Sequence, residues 1–208
     1  MVKKESLRKE VKQKRKLLSE AFVAENSRHI CDKLIKYLEA RDTEAQKTKT
    51  DITAYDTYLL YASANNEVDL SYFIDWAMEL GKTIAFPRVD KSGENDMDFY
   101  RIDSVKDLSE GNFHIMEPVE DCRLVSPTDK TICLVPGLVF SEKGNRIGYG
   151  RGFYDNYFNR YRDITKIGIA FDFQIYPDWE AYSSDVSMDA FITEKREVFI
   201  NDKIRRNM

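Results

Sequence analysis

The segment 144–155 combines glycines, arginines and aromatic residues at a spacing suited to a phosphate-bearing ligand. Its sequence is GNRIGYGRGFYD, and four of the chain's nine glycines fall between Gly144 and Gly152. Glycines let a backbone approach a ligand closely, and the guanidinium groups of Arg146 and Arg151 match phosphate oxygens. The aromatic side chains offer flat surfaces for a heterocycle. A tight turn that needs glycine for positive φ angles is the alternative interpretation.

The spacing of these glycines excludes two common nucleotide-binding loops. A Walker A loop requires a Gly-Lys pair followed by Ser or Thr, and no such pair follows here. The dinucleotide fingerprint is G-x-G-x-x-G, whereas residues 148–152 read G-x-G-x-G. The segment follows a continuous apolar run at 131–135 and precedes a predicted helix. Ligands of open α/β sheets bind at the carboxyl ends of the strands, where this loop is expected to lie.

Residues 1–16 form a second candidate for phosphate binding. They hold eight basic and two acidic side chains, although the net charge of the whole chain is −4. The pattern predicts a helix over 3–18 with an apolar stripe at Leu7, Val11 and Leu18. A basic helix on an acidic body indicates a local anion site rather than a nucleic-acid surface, and a solvated helix face is the alternative. The side chains spaced to share one face, opposite Leu7 and Val11, are Lys4, Arg8, Lys12 and Arg15.

Composition indicates one cytoplasmic domain spanning 1–208. With 42% hydrophobic and 12% aromatic residues, the chain can bury a sizeable core. No apolar stretch approaches the about 20 residues that span a bilayer, and the charged N-terminal segment lacks the apolar centre of a signal peptide. Three cysteines without a C-x-x-C pair favour reduced thiols over a disulfide framework or a zinc site.

The hydrophobic pattern predicts an α/β fold, a single layered domain with a mostly parallel sheet flanked by helices. A buried strand at 58–63, a helix at 70–80 and a strand at 83–86 form one βαβ unit. Pro87 is expected to stop the second of these strands, and the run 131–135 is typical of a central strand covered on both faces. The remaining predictions are a second helix capped by Ser19, a polar loop at 42–53, a helix end at Gly81, an edge strand at 97–102, a helix at 153–162, a strand at 166–171 and closing strands at 189–193 and 197–201.

Residues 136–155, PGLVFSEKGNRIGYGRGFYD, resemble the signature of the 5-formyltetrahydrofolate cyclo-ligase family. The resemblance covers most of the chain, and the order of shorter motifs around the long one makes coincidence a poor explanation. It implies the layered α/β fold shared with sugar-phosphate isomerases and CoA transferases. The shorter matching segments are 4–8, 63–69, 81–82, 86–89, 97–99, 115–118 and 184–189.

The resemblance implies an enzyme that cyclises 5-formyltetrahydrofolate to 5,10-methenyltetrahydrofolate, with ATP converted to ADP and phosphate. The formyl oxygen would attack the γ-phosphoryl group, and ring closure would then displace phosphate from an iminium phosphate. Such a reaction needs positioning and charge neutralisation, which suits a chain without a Ser/His/Asp or Cys/His constellation. The expected ligands are the folate, ATP and Mg²⁺, the expected state is a monomer, and no nucleic-acid or membrane partner is expected.

The family's site residues carry over to several parts of this chain, and its basic N-terminal helix (1–18) is implied to close over the nucleotide. ATP contacts are implied for Lys4, Glu5, Ser6, Leu7, Arg8, Arg146, Ile147, Gly148, Tyr149, Gly150, Arg151, Gly152, Phe153 and Tyr154. Folate contacts are implied for Ala62, Glu67, Tyr149, Gly150, Arg151, Gly152 and Phe153. The residues implied for catalysis are Arg146, Arg151 and Asp155, and those for magnesium are Asp155 and Asp185.

Two of these residues have simpler alternative roles, and two positions depart from the family pattern. Glu67 could accept hydrogen bonds from pterin N–H groups or cap a strand–helix loop. Asp155 could hold magnesium or complement a helix dipole. Ala62 is often larger in relatives, and Ser184 stands where many bacterial relatives carry histidine, which leaves the shape of the pocket open.

Three other classes of function remain open on the sequence alone. A sugar-phosphate isomerase or CoA transferase of related fold would need its own catalytic acid and no basic helix. A nucleic-acid-binding module would use residues 3–16 as a phosphate-contacting arm, although the acidic body argues against this. A non-catalytic sensor would bind nucleotide without turnover.

Overall fold

The computed structural model describes residues 4–48, 55–90, 96–111, 114–177, 179, 185–201 and 204, and their side chains except at 44–48. Within these ranges the helices are α1 (Lys4–Lys16), α2 (Glu20–Thr48), α3 (Ser71–Glu79) and α4 (Phe153–Arg160). The strands are β1 (Thr57–Leu59), β2 (Thr83–Val89), β3 (Met97–Ile102), β4 (Leu108–Glu110), β5 (Met116–Pro118), β6 (Thr131–Pro136), β7 (Val139–Ser141), β8 (Arg146–Ile147), β9 (Thr165–Ile169), β10 (Ile175–Tyr176), β11 (Ala190–Ile192) and β12 (Glu197–Phe199).

The main sheet has seven strands in the order β12-β11-β9-β6-β1-β2-β3. Its five inner strands run parallel, and the edge strands β3 and β12 are antiparallel to their neighbours. The predicted βαβ unit, edge strand and mostly parallel sheet are therefore confirmed. β6 lies at the centre, and each of its residues from Thr131 to Val135 is buried, as expected for a strand covered on both faces.

Alternate residues of β6 face two different layers of the core. Ile132 and Leu134 belong to the apolar cluster that includes α2 and α3, whereas Cys133 and Val135 belong to the cluster that includes α4. This follows from the two-residue period of a strand. Helices thus cover both faces of the sheet, which confirms the predicted α/β fold class.

The predicted loop at 42–53 is wrong over its first part, because α2 continues to Thr48. The sequence at 42–48, DTEAQKT, contains no glycine or proline and is rich in good helix formers. A lack of large apolar residues therefore does not end the helix. Residues 49–53 lie outside the described part of the chain.

Pro87 does not stop β2, which runs on to Val89. β1 pairs with β2 only as far as Ala85, and among the described strands β3 alone accompanies β2 beyond that point. A proline is tolerated where the strand needs hydrogen bonds on one side only. Two predicted helix boundaries are confirmed: Ser19 Oγ accepts from the Phe22 amide at 3.1 Å, and Gly81 has a φ of +66° after α3. The helices predicted over 3–18 and 153–162 end two residues earlier, at Lys16 and Arg160.

A small sheet in the order β10-β7-β8 carries α1 and was not predicted. Leu7 and Val11 of α1 are 5% and 0% exposed, and they pack with Val139 of β7 and Ile147 of β8. β8 leads directly into the glycine-rich segment, so the same small sheet supports both the basic helix and the loop. A second small sheet pairs β4 with β5. None of the described helices has the length and apolar character needed to cross a bilayer.

Phe140 of β7 ties the small sheet to the main one by filling the space beside two glycines. Its side chain is fully buried. A Cβ atom on Gly168 of β9 would lie 2.5 Å from the Cε1 atom of this ring, and one on Gly137 would lie 2.6 Å from its Cζ atom. Neither position has room for a methyl group unless the ring moves.

We expect Gly168→Ala to lower the free energy of unfolding by about 1–3 kcal/mol, because overpacking displaces the buried ring of Phe140. Urea unfolding followed by circular dichroism measures this change. In a Phe140→Leu background the same glycine substitution should cost much less, since the smaller side chain leaves room. An equal cost in both backgrounds would contradict the packing explanation.

Candidate active site

The glycine-rich loop 148–152 joins β8 to α4. Gly150 and Gly152 have φ angles of +99° and +77°, and Gly152 is the N-cap of α4. These angles strain any residue that carries a Cβ atom, so the loop needs glycine at both positions. The loop also approaches α1 closely, because a Cβ atom on Gly150 would lie 3.7 Å from the guanidinium carbon of Arg8. The positive φ angles confirm the tight-turn interpretation, whereas the approach of a ligand to this backbone stays a prediction.

Arg146 lies under this loop and pairs with the first turn of α4. Its side chain is 6% exposed, and its Nη2 atom donates to both carboxylate oxygens of Asp155 at 3.3 Å. Its buried Nε atom has no hydrogen-bond partner among the described residues. A Cβ atom on Gly148 would lie 2.7 Å from Nη1. The guanidinium is therefore buried beneath the loop, next to the backbone of Gly148, and one of its donors is used by none of the described residues.

The two predicted magnesium ligands lie in neighbouring segments of the structure. The amide of Val186 donates to Asp155 Oδ1 at 3.3 Å, so Asp155 contacts the residue that follows Asp185. Lys4 Nζ donates to Asp185 Oδ2 at 2.6 Å. Each carboxylate is thus paired with a cation, Asp155 with Arg146 and Asp185 with Lys4. No group of three or more potential metal-binding side chains occurs within the described ranges.

The helix α1 contacts the loop through its basic side chains. Arg8 Nε donates to the carbonyl of Gly148 at 3.0 Å, and Lys12 Nζ lies 5.4 Å from the centre of the Tyr149 ring. A cleft of about 790 Å³ opens between this helix and residues 65, 66 and 149. Anions are attracted to such a cleft because most of its charge is positive. The basic side chains that line it are Arg8, Lys9, Lys12, Arg15 and Lys16.

Glu67 lies beside this cleft, in contact with its lining residues Arg15 and Tyr149, and 9% of its side chain is exposed. Its Oε2 atom accepts from the Ala64 amide at 3.1 Å, so the residue does cap its own loop. Its Oε1 atom accepts from the Tyr149 hydroxyl at 2.7 Å. Burial of that hydroxyl, and then the adjacent carboxylate, raise the pKa of Tyr149. The hydroxyl is therefore a hydrogen-bond donor at neutral pH.

The placement of Arg15 on the exposed basic face is wrong. The buried residues of α1 are Leu7, Val11 and Arg15, a row at spacings of four. Arg15 is 2% exposed and contacts Glu67 and Tyr149 instead of facing solvent. The spacing of the three residues was visible in the sequence, but an arginine at the end of an apolar row reads more readily as a surface charge.

The structure separates the remaining predicted residues by exposure. Leu7 and Ile147 pack in the apolar cluster under α1, so their side chains face the core. Phe153 and Tyr154 pack partly against the α4 cluster, whereas Tyr149 is 46% exposed at the cleft. Ala62 packs at the edge of the largest cluster. Glu5, Ser6 and Arg151 also have exposed side chains, and Ser184 lies outside the described residues.

Comparison with known proteins places this arrangement in one family. A family model described as the 5-formyltetrahydrofolate cyclo-ligase family matches residues 1–194. A probable 5-formyltetrahydrofolate cyclo-ligase of Schizosaccharomyces pombe is 30% identical over 64% of this chain and 71% of its own length. The 5-formyltetrahydrofolate cyclo-ligase of Mycoplasma genitalium is 30% identical over 92% of this chain and 98% of its own length.

Two solved structures share the fold. The 5,10-methenyltetrahydrofolate synthetase of Aquifex aeolicus superposes with a TM-score of 0.71 at 30% identity, covering 96% of this chain and 93% of the other. The 5,10-methenyltetrahydrofolate synthetase of Mycoplasma pneumoniae superposes with a TM-score of 0.70 at 25% identity, covering 93% and 99%. The family match over most of the chain confirms the resemblance seen in the glycine-rich motif. The chain belongs to the 5-formyltetrahydrofolate cyclo-ligase family.

Proposed function

We propose that the protein catalyses the ATP-dependent cyclisation of 5-formyltetrahydrofolate to 5,10-methenyltetrahydrofolate, with release of ADP and phosphate. Family membership supports the overall reaction. The observation that carries the proposal is the convergence of phosphate-binding groups at the glycine-rich loop. Arg8 reaches the loop from α1, Lys4 of the same helix contacts Asp185, and Arg146 lies beneath the loop with an Nε atom that has no partner among the described residues.

The reaction begins with a weak electrophile, because amide resonance deactivates the formyl group on the pterin nitrogen. The formyl oxygen forms a bond to the γ-phosphorus of ATP, and the bond from that phosphorus to ADP breaks. The resulting iminium phosphate has a good leaving group on the former formyl carbon. The neighbouring side-chain nitrogen adds to this carbon and loses its proton to the departing phosphate, and the five-membered ring closes as the carbon–oxygen bond to phosphate breaks. No protein nucleophile takes part.

The basic groups of the site are suited to this phosphoryl transfer. Negative charge develops on the transferred group and on ADP, so positioning and charge neutralisation dominate catalysis. Arg146 is held rigidly by Asp155 and by burial, which prepares its guanidinium before the ligand arrives. Arg151 is exposed at the loop and would supply the second guanidinium. The backbone of 148–152 at the start of α4 would add N–H donors.

The donor set at the loop fits magnesium. Mg²⁺ is commonly held by one or two carboxylates together with phosphate oxygens and water, and it needs no larger acidic cluster. Asp155 and Asp185 would hold the ion, since Asp155 contacts the residue next to Asp185. The bound ion would neutralise charge on the nucleotide phosphates. Lys4 and Arg146 pair with these carboxylates and would contact the same phosphates when the nucleotide binds.

The cleft beside α1 is proposed to receive the folate. Glu67 offers a buried carboxylate to the amino and ring N–H groups of the pterin, and Tyr149 offers an exposed ring face. Ala62 lies at the edge of the core, on the segment that leads from β1 towards Glu67. We also propose, on the grounds of composition and resemblance, a cytoplasmic monomer that acts on small molecules without a nucleic-acid or membrane partner.

The test is the formation of methenyltetrahydrofolate, followed by its absorbance, when the purified protein is mixed with 5-formyltetrahydrofolate, ATP and magnesium. Product should appear only when ATP is present, with one ADP formed for each folate cyclised. Nucleotide binding without product would favour a sensor and overturn the proposal.

Asp155→Asn should lower turnover by about a hundredfold, by analogy with the loss of one transition-state electrostatic partner. The change preserves size but removes a charge that pairs with Arg146 and is proposed to hold magnesium. Raised magnesium should recover part of the loss. Asp163→Asn, which alters an exposed carboxylate beyond α4, is the matched control and should leave turnover unchanged. If Asp155→Asn lowered the melting temperature while turnover kept its wild-type dependence on magnesium, Asp155 would be a structural residue.

Glu67→Gln should raise the KM for 5-formyltetrahydrofolate by about tenfold or more while changing the KM for ATP little. A hydrogen bond to a charged group contributes roughly 1.5–3 kcal/mol, and the amide also presents a donor where the pterin presents one. Steady-state kinetics with each substrate varied in turn gives both constants. Equal rises in the two constants would indicate that Glu67 serves only as the cap of its loop.

A further inference from the structure

We infer that Arg15 is a positioning residue for the folate substrate: it fixes the Glu67 carboxylate and the Tyr149 hydroxyl in one hydrogen-bonded set. The inference rests on the proposed function, because it assigns Glu67 and Tyr149 to the folate. It extends that function to a residue on α1 well beyond the segment 4–8, to which the family resemblance assigns ATP contacts.

The buried guanidinium of Arg15 binds both functional side chains. Its Nη1 atom donates to the Tyr149 hydroxyl at 2.9 Å and lies 3.4 Å from Glu67 Oε1. The Tyr149 hydroxyl in turn donates to the same Oε1 atom at 2.7 Å. Arginine, carboxylate and phenol therefore form a closed triangle in which each group contacts the other two. Rotation of the Glu67 carboxylate would break two of these contacts together.

The rest of the guanidinium holds the loop from which Glu67 extends. Arg15 Nε and Nη2 donate to the carbonyl of Asn65 at 2.9 and 2.6 Å, and Nη2 also donates to the carbonyl of Ala64 at 2.8 Å. Asn65 and Asn66 have positive φ angles of 51° and 57°. The side-chain Nδ2 atom of Asn66 donates back to the carbonyl of Arg15 at 2.8 Å. Two successive left-handed residues carry strain, and these contacts compensate for it.

Packing of α1 against the core would not by itself call for an arginine at this position. Arg15 continues the buried row of Leu7 and Val11, where an apolar side chain would pack without the cost of removing a charge from water. The arginine also affects which acceptor positions of the Glu67 carboxylate remain for a ligand. A carboxylate has about four acceptor positions. Arg15, Tyr149 and the Ala64 amide occupy three within the described residues, which directs the remaining capacity to substrate N–H groups.

The placement of Arg15 also joins the two substrate sites. Tyr149 belongs to the glycine-rich loop, and Arg8, two helical turns before Arg15, donates to the carbonyl of Gly148 in that loop. The middle of α1 thus contacts the glycine-rich loop, and the end of α1 contacts the Glu67 carboxylate that is proposed to bind the folate. Occupation of one site therefore stabilises the helix position that the other site requires.

The experiment compares Arg15→Met with Lys14→Met, a matched loss of one basic side chain from the adjacent position. Lys14 is 47% exposed and contacts Glu10 and Tyr176 rather than the cleft. For each protein, the KM values for both substrates, the Kd of 5-formyltetrahydrofolate without ATP, and the melting temperature are measured. Arg15→Met should raise the folate KM and Kd by about tenfold or more, and the folate KM much more than the ATP KM. Lys14→Met should change neither.

A double-mutant cycle separates positioning from general loosening. Once Arg15 is methionine, Glu67→Gln should add less than about a twofold further increase in the folate Kd, because contacts that share one set of partners are not additive. The inference would be overturned if the two substitutions had multiplicative effects on the folate Kd. It would also be overturned if Arg15→Met raised the KM values for folate and ATP equally.

Folding of the variant is controlled by a second substitution. If Arg15→Met does not fold, the change in the folate KM is compared with the change in the ATP KM in Arg15→Lys instead. Lysine keeps the charge but lacks the planar guanidinium group. A wild-type protein that forms no product with ATP would overturn the proposed function itself. An active wild type with an unchanged folate-to-ATP ratio in both Arg15 variants would overturn only the role of Arg15.

Discussion

The docking of α1 on the small sheet is the interaction on which the whole candidate site depends. Leu7 and Val11 anchor the helix in an apolar cluster with β7 and β8, and polar contacts at both ends fix its direction. Lys4 holds the first turn through Asp185, and Arg15 holds the last turn through the loop that carries Glu67. Apolar burial supplies most of the free energy, whereas the ion pairs and hydrogen bonds determine where each basic side chain lies.

The main sheet contributes by bringing distant segments to one edge. In a parallel sheet the carboxyl ends of all strands meet, so β1, β6 and β9 lead into the Glu67 loop, the glycine-rich region and the later segments from one side. The small sheet then extends from that edge and redirects the chain into β8 and the loop 148–152. Phe140, lodged against Gly168 of β9, sets the distance between the two sheets. A change in this packing would therefore alter the position of Arg146.

The sequence predicted the elements that follow from periodicity and missed those that depend on tertiary contact. Alternation around β3 and the apolar run of β6 identify the sheet because burial leaves a regular pattern in the chain. The two-residue strand β8 is too short to leave such a pattern. The end of α2 was misplaced because helix propensity, rather than an apolar face, sustains its last turns.

The candidate site shows the same division. The glycine-rich loop and Asp155 are contiguous in the chain, so the sequence alone could group them as one candidate site. The pairing of Lys4 with Asp185 and the triangle of Arg15, Glu67 and Tyr149 join residues far apart in the chain, and no local spacing encodes them. Arg15 was misjudged because charge usually signals exposure, and here three carbonyl and carboxylate partners outweigh the cost of burial.

The contact between Lys4 and Asp185 spans 181 positions of the chain, and this separation bears on how the protein assembles during synthesis. α1 leaves the ribosome before every other described element, yet its partners in β7, β8 and the Asp185 segment come much later. Early in translation the apolar row of α1 has no surface to cover it, and such exposed segments favour misassembly in growing chains. The high density of lysine and arginine along α1 favours hydration of the helix before those partners emerge. The charges proposed to meet the nucleotide would then also limit misassembly of the nascent chain.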